Sequence, residues 1–245
     1  MKKQRIDKLL VERGLAESRE IAQAYLMAGK VLVNDQPITK AGQQVEVEAA
    51  LRLKGEAIPF VGRGGFKLQG ALAQFKISVA GKLCMDIGAS TGGFTDVLLQ
   101  GGASFVYAID VGHNQLHYSL RTDPRVRCLE GVNFRHATLE LTGSYVDLAV
   151  IDVSFISLTL ILPPLFPFLV KGGQCVALVK PQFEAGREKV GKGGLVKDEK
   201  DRLETLEKIK KAARALGFEV MGEVQASIQG KKSGNQEWLL WLKKP

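Results

Sequence analysis

The sequence predicts an α/β protein: an open, mostly parallel sheet with helices on both faces, preceded by a small α+β domain. Three observations predict it. Short apolar runs alternate with helical patterns from residue 83 onward, the rhythm of parallel strands joined by helical crossovers. A glycine-rich stretch, Gly88 to Gly93, stands between one such run and a helical pattern. The first fifty or so residues have a different texture, two short helices followed by short strands. Of the 245 residues, 45% are hydrophobic and 24% charged, proportions that exclude global disorder, collagen and coiled coil.

In chain order, Ile6, Leu9, Leu10 and Val11 give a first helix its apolar face, and Gly14 stops it. Ser18 is placed to cap a second helix, which runs through Ile21, Ala22, Tyr25 and Leu26 to Gly29. Residues 31–33 read as a strand, Asn34-Asp35 as a turn, and 37–39 and 45–47 as further strands. Residues 51–62, with Gly55, Pro59 and Gly62, read as a linker between a domain at 1–50 and one at 63–245. Beyond it, strands are predicted at 83–85, 104–109, 126–129, 147–151, 174–179, 219–224 and 237–242, with helices at 92–100 and 198–216.

Lys and Arg number 34 against 26 Asp and Glu, a net charge of +8 that favours polyanionic partners. No block of like charge dominates, so a nucleic-acid surface must be assembled by folding. Cys84, Cys128 and Cys175 are odd in number, far apart and without a C-x-x-C pair, which argues against a disulfide framework or a zinc site. They suit reduced thiols in the cytoplasm. The apolar stretch of a signal peptide is interrupted by Asp7, Glu12 and Arg13. Residues 148–170 are nearly uncharged over a length that could span a bilayer, but Asp152, Pro163, Pro164 and Pro167 favour a buried parallel strand, a loop and a short helix. Stable membrane insertion is not expected.

Arg5-Ile-Asp-Lys-Leu-Leu10, Gly14-Leu-Ala16, Ser18-Arg19, Ala22, Gly29-Lys-Val31 and Val33-Asn34 resemble the S-four RNA-binding domain over residues 5–47. The resemblance implies basic side chains offered to structured RNA, with Arg5, Lys8, Arg19 and Lys30 as phosphate contacts; Arg63, opening the second domain, joins them. Such contacts supply salt-dependent affinity, not sequence choice.

The stretch from Asp86 to Asp96 follows a strand and opens a helix, so glycine lets the backbone approach a ligand that the helix N-terminus faces. It is neither G-x-G-x-x-G nor a P-loop, and no lysine is placed to reach a nucleotide phosphate. Asp110 ends the next strand, 22 residues after Gly88, where a carboxylate can accept both hydroxyls of a ribose. Asp86, ahead of the glycines, suits an amino or sulfonium group better than a pyrophosphate. S-adenosylmethionine is therefore the expected cofactor. Its candidate contacts are Asp86, Gly88, Ala89, Ser90, Gly92, Gly93, Asp110, Val111, Asn133 and Asp152.

Asp152 and Lys180 close strongly apolar strands, where an ionised side chain is costly unless paired or in a site. With Lys67 in Arg63-Gly-Gly-Phe-Lys67 and Glu237 in Gly234-Asn-Gln-Glu237, they resemble the Lys-Asp-Lys-Glu tetrad of FtsJ-like ribose 2'-O-methyltransferases. The whole chain resembles the TlyA family of ribosomal RNA methyltransferases, historically labelled haemolysin A. The resemblance is carried further by 110–116, 133–135, 152–157, 180–184 and 193–198, while Ser227 stands before Ile228 where that family usually has proline.

This resemblance implies a Rossmann-like class I methyltransferase sheet and 2'-O-methylation of ribosomal RNA, on cytidine. It implies Lys180 as the base, with burial and the positive charges of Lys67 and the cofactor favouring its neutral form. Asp152 would orient Lys180, and Lys67 and Glu237 would bind the target ribose. No metal is implied, because the sulfonium already activates the leaving group; His113, His117 and His136 read as surface or pocket-lining. Phe94, Phe155 and Phe183 read first as packing and second as platforms for a base. The expected partner is ribosomal RNA or a ribosomal subunit, met in the cytoplasm by a monomer. Two alternatives stand beside this reading: a non-catalytic RNA-binding or ribosome-assembly factor, and a membrane-active haemolysin.

Overall fold

The computed structural model describes residues 3–34, 36–54, 60–226 and 234–245. Asp35 of the expected turn, Gly55 and Pro59 of the expected linker, and Ser227 with Ile228 lie outside the described residues. The chain divides into two compact units, Met1–Pro59 and Phe60–Pro245.

In the first unit, Lys3–Arg5 (β1) leads into Ile6–Glu12 (α1), and Ser18 caps Arg19–Met27 (α2) by accepting from the Ile21 amide at 3.3 Å. Val31–Val33 (β2) pairs antiparallel with Gln36–Ile38 (β3), and β1 pairs with Gln44–Glu46 (β4). Ile6, Leu9, Leu10, Ala22, Leu26 and Val31 close a core belonging to this unit. Leu51–Leu53, within the expected linker, is instead a strand (β5) paired with β2, its two leucines packed on that core. Phe60 already lies in a core of the second unit. The connecting segment is thus shorter than 51–62.

The second unit is built on a seven-stranded sheet. Its strands are Leu83–Ile87 (β6), Phe105–Ile109 (β7), Val126–Leu129 (β8), Val146–Ile151 (β9), Leu169–Val179 (β10), Glu219–Gln225 (β11) and Trp238–Lys243 (β12). The order is β11-β12-β10-β9-β6-β7-β8; β6 to β10 run parallel, and β12 is antiparallel to both neighbours. Alternate residues face opposite sides, so Cys84, Val106, Leu148 and Val176 enter one core and Met85, Tyr107, Ala149 and Ala177 the other.

Gly65–Phe75 (α3) and Gly93–Gln100 (α4) cover the first face; Leu162–Leu165 (α6) and Glu199–Ala215 (α8) cover the second. Tyr118–Arg121 (α5) precedes β8, and Pro181–Glu184 (α7) follows β10. Helix α3 is an addition to the sequence reading, although Leu68, Ala71, Leu72 and Phe75 have helical spacing. Among the described residues no helix is long and apolar enough to cross a membrane.

Candidate active site

Parallel strands bring their carboxyl ends to one edge, where open α/β sheets bind ligands. Asp110 follows β7 there, Asp152 follows β9 and Lys180 follows β10. Strand β12 runs the other way, so its beginning meets that edge, and the pairing of Val179 with Trp238 sets Glu237 beside Lys180. Lys67 comes from the first turn of α3. The cap of that helix, Gly64, lies so close that a Cβ on it would be 3.6 Å from Asp152 Oδ2.

The four charged side chains form two ion pairs. Lys180 Nζ is 2.5 Å from Asp152 Oδ1, and Lys67 Nζ donates to Glu237 Oε2 at 2.5 Å. Glu237 is 2% exposed, so losing its cation would leave a buried charge uncompensated. Three neighbours were not anticipated. Ser154 Oγ accepts from Lys180 Nζ at 3.0 Å. Gln182 Nε2 donates to Glu237 Oε1 at 3.4 Å, and Gln182 Oε1 accepts from Asn235 Nδ2 at 3.0 Å. Asn235, fully buried, ties in the loop before α8 by accepting from the Val196 amide at 2.9 Å and donating to the Gly194 carbonyl at 2.8 Å. Their sequence signal is a place beside the charged four, inside the stretches that carry the family resemblance. Glu184, buried, accepts from the Leu158 amide at 2.8 Å and the Ser157 hydroxyl at 2.5 Å. Burial raises its pKa, and its bonds fasten the loop that carries Ser154.

A cavity of about 410 Å³ opens at the same edge, within the range of small-ligand sites. Gly88, Ser90, Asp110, Val111, Asn133 and Asp152 line it. Asp86, Ala89, Gly92 and Gly93 are not on its wall. The two glycines serve packing: a Cβ on Gly92 would sit 2.2 Å from Leu120 Cδ1, and one on Gly93 would sit 3.2 Å from the Gly62 carbonyl oxygen and the Gly65 nitrogen. Their smallness seats α4 against α5 and the start of α3.

Asp86 is buried in β6. Thr95 Oγ1 donates to its Oδ2 at 2.7 Å, while Oδ1 has no hydrogen-bond partner. Burial first, and then the Asp152 charge, push the Asp86 carboxyl up to about 7. Asp110 accepts from the Ser90 amide at 2.8 Å and the Gly112 amide at 2.7 Å, holding two loops at the cavity rim.

Glu130 does similar work outside the wall, accepting from the amides of Asn114, Gln115 and Leu116 at 2.8, 2.9 and 3.2 Å and from Arg121 at 2.7 Å. The Arg121 guanidinium, then these amides, hold its carboxyl down at about 2. Phe155, also on the wall, has a left-handed φ of 64° and is 90% exposed, its ring centroid 5.0 Å from that of Phe183. Phe94, by contrast, is buried in the core.

In the first unit Arg5 and Arg19 both reach the carboxylate of Asp7, Lys8 is exposed, and Lys30 Nζ lies 5.9 Å from the centre of the Tyr25 ring. Arg63, at the start of the second unit, is exposed. Among the described residues no group of three or more His, Cys, Asp or Glu is arranged to hold a metal ion.

The family model described as FtsJ-like methyltransferase matches residues 60–244, and that of the S4 domain matches residues 4–51. The chain belongs to the FtsJ-like methyltransferase family. This methyltransferase is 47% identical over 240 residues to the 16S/23S rRNA (cytidine-2'-O)-methyltransferase TlyA of Mycobacterium tuberculosis, covering 98% of this chain and 89% of that one. It is 41% identical over 236 residues to hemolysin A of Brachyspira hyodysenteriae, covering 96% and 98% respectively. A solved structure of a hemolysin-named protein from Streptococcus thermophilus is similar with a TM-score of 0.77 at 50% identity, over 100% of this chain and 89% of that chain. The family resemblance and the fold class read from the sequence both stand.

Proposed function

We propose that this methyltransferase moves a methyl group from S-adenosylmethionine to the 2'-hydroxyl of a cytidine ribose in ribosomal RNA, with Lys180 as general base. One observation carries the reading: Lys180–Asp152 and Lys67–Glu237 stand as two ion pairs at the carboxyl edge that also holds the cavity. The printed activity of the Mycobacterium tuberculosis relative agrees.

The residues present fit the cofactor. A cavity with Asp110 and Asp152 on its wall suits a cationic ligand bearing a ribose, and a buried Asp86 oxygen, two residues before Gly88 of that wall, lacks a partner. Gly88, Ser90, Asp110, Val111, Asn133 and Asp152 would hold it. Bound there, it supplies a methyl group on a sulfonium leaving group.

A ribose hydroxyl is a poor nucleophile at neutral pH, so its proton must be taken as the new bond forms. Lys180 Nζ first releases its own proton to solvent and then, as a free amine, takes the hydroxyl proton; Asp152 Oδ1 at 2.5 Å stabilises the ammonium that results. Ser154 fixes the direction of Nζ. Lys67 and Glu237, tied to Gln182, hold the ribose, and the exposed face of Phe155 receives the base. The first unit supplies affinity through Arg5, Lys8, Arg19 and Lys30, with Arg63 adding to it. The enzyme works in the cytoplasm, on ribosomal RNA or a ribosomal subunit.

The test is incubation with methyl-labelled S-adenosylmethionine and ribosomal subunits lacking their modifications, followed by mapping of the labelled nucleoside. Label is expected on a cytidine 2'-oxygen, and Lys180→Ala is expected to slow transfer by about 100-fold or more with cofactor binding retained. Label on a base would overturn the reaction, and full activity in the variant would overturn the base. Absence of transfer to either subunit, with cofactor and RNA bound, would favour the assembly factor.

A further inference from the structure

Asp7 is a carboxylate with 0% side-chain exposure in the first turn of α1, yet it is outside the active-site machinery. Both its oxygens are saturated. Oδ1 accepts from Arg5 Nε at 3.0 Å and from the Lys8 amide at 3.0 Å; Oδ2 accepts from Arg5 Nη2 at 2.8 Å, Arg19 Nη2 at 3.0 Å and Gln23 Nε2 at 3.3 Å. Arg5 ends β1 just before α1 and Arg19 opens α2, so guanidinium groups from two different elements converge on a single oxygen.

Two arginines on one carboxylate leave a net positive charge. Arg5 spends two of its five N–H groups on Asp7 and Arg19 spends one, and their side chains remain 41% and 47% exposed. The remaining donors are planar forks of fixed orientation, the geometry that matches a phosphate. Without the carboxylate the two cations would repel each other, and their long side chains would disperse into solvent.

We propose that Asp7 is a positioning residue, a buried anion that gathers Arg5 and Arg19 into a preformed clamp for one RNA phosphate. This rests on the reading that the first unit binds RNA through those arginines.

Charge counting and positioning give opposite signs. Asp7→Asn removes a negative charge beside the RNA surface, so electrostatics alone tightens binding; dispersal of the clamp weakens it. The measurement is the affinity of the full chain for a fluorescein-labelled RNA hairpin across a salt series. Asp7→Asn is expected to bind about five- to tenfold more weakly, with the slope of log affinity against log salt shallower by about one. Unchanged or tighter binding overturns the proposal. If Asp7→Asn does not fold by circular dichroism, Asp7→Glu decides instead: it keeps the charge but displaces the carboxylate by a methylene, and unaltered binding there overturns positioning. The double variant Arg5→Gln/Arg19→Gln tests the underlying reading. If it binds as the parent does, that reading fails and takes the proposal with it; if it weakens while Asp7→Asn does not, positioning alone fails.

Discussion

A carboxyl group sealed from water is more stable protonated, and Asp86, held up to about 7, is such a group. The unfolded chain releases that proton near 4, so the Asp86 contribution to stability falls as pH rises from about 4 to about 7. Asp86→Asn is expected to melt progressively higher than the parent as pH is raised through that window. A melting difference independent of pH would refute this. Glu130 has the opposite sign. Its carboxyl, lowered to about 2, contributes stability that is full above the ordinary carboxylate range and is lost as pH falls toward 2. Phe155 is read from exposure: a left-handed φ costs about 1–2 kcal/mol in a residue with a side chain, and the residue is 90% exposed. Phe155→Ala is expected to leave stability within about 0.5 kcal/mol and to raise KM for RNA about tenfold. An unchanged KM would remove the ring from the substrate surface.

At the scale of elements, the turn after β6 depends on Gly88, whose φ is 85° and whose Cβ, if present, would lie 2.5 Å from the Asp152 backbone oxygen. Neither backbone can yield without moving β6 or β9. Gly88→Ala is therefore expected to destabilise the fold by about 3 kcal/mol or more, read as a lowered urea midpoint. Gly92→Ala meets chiefly the flexible end of Leu120, so its cost is the smaller of the two, dominated by its φ of 98°. The glycine-rich turn was legible from its residues, and so was the Ser18 cap, because each is a local requirement. Helix α3 and strand β5 were passed over: α3 lies in a stretch read only for its charged motif, and the three residues of β5 are fixed by pairing with β2.

For the whole molecule, the first unit closes its own core around Ile6, Leu10 and Leu26, while the sheet of the second buries Met85, Leu148 and Val176 on its two faces. Two units with separate cores imply two cooperative transitions. At about 0.7 kcal/mol per residue, calorimetry is expected to find one near 40 kcal/mol for Met1–Pro59 and one near 130 kcal/mol for Phe60–Pro245. A single transition, with calorimetric and van't Hoff enthalpies equal, would show that the units unfold as one.

What the sequence determined by itself is what short-range chemistry controls: alternating periodicities that set the fold class, glycines where φ must be positive, and charged residues conspicuous at the ends of apolar strands. It singled out Lys67, Asp152, Lys180 and Glu237 by resemblance, yet could not pair them. Lys67 and Glu237 are 170 residues apart, and Glu237 reaches the site only because β12 is antiparallel and registers Trp238 against Val179. Tertiary structure alone also decided that Gly92 and Gly93 pack helices while Gly88 and Ser90 line the cavity, and that Ser154, Gln182 and Asn235 join the charged four. Which atoms a side chain meets is set by strand order, strand direction and register, which depend on burial across the whole sheet rather than on any residue's neighbours in the chain.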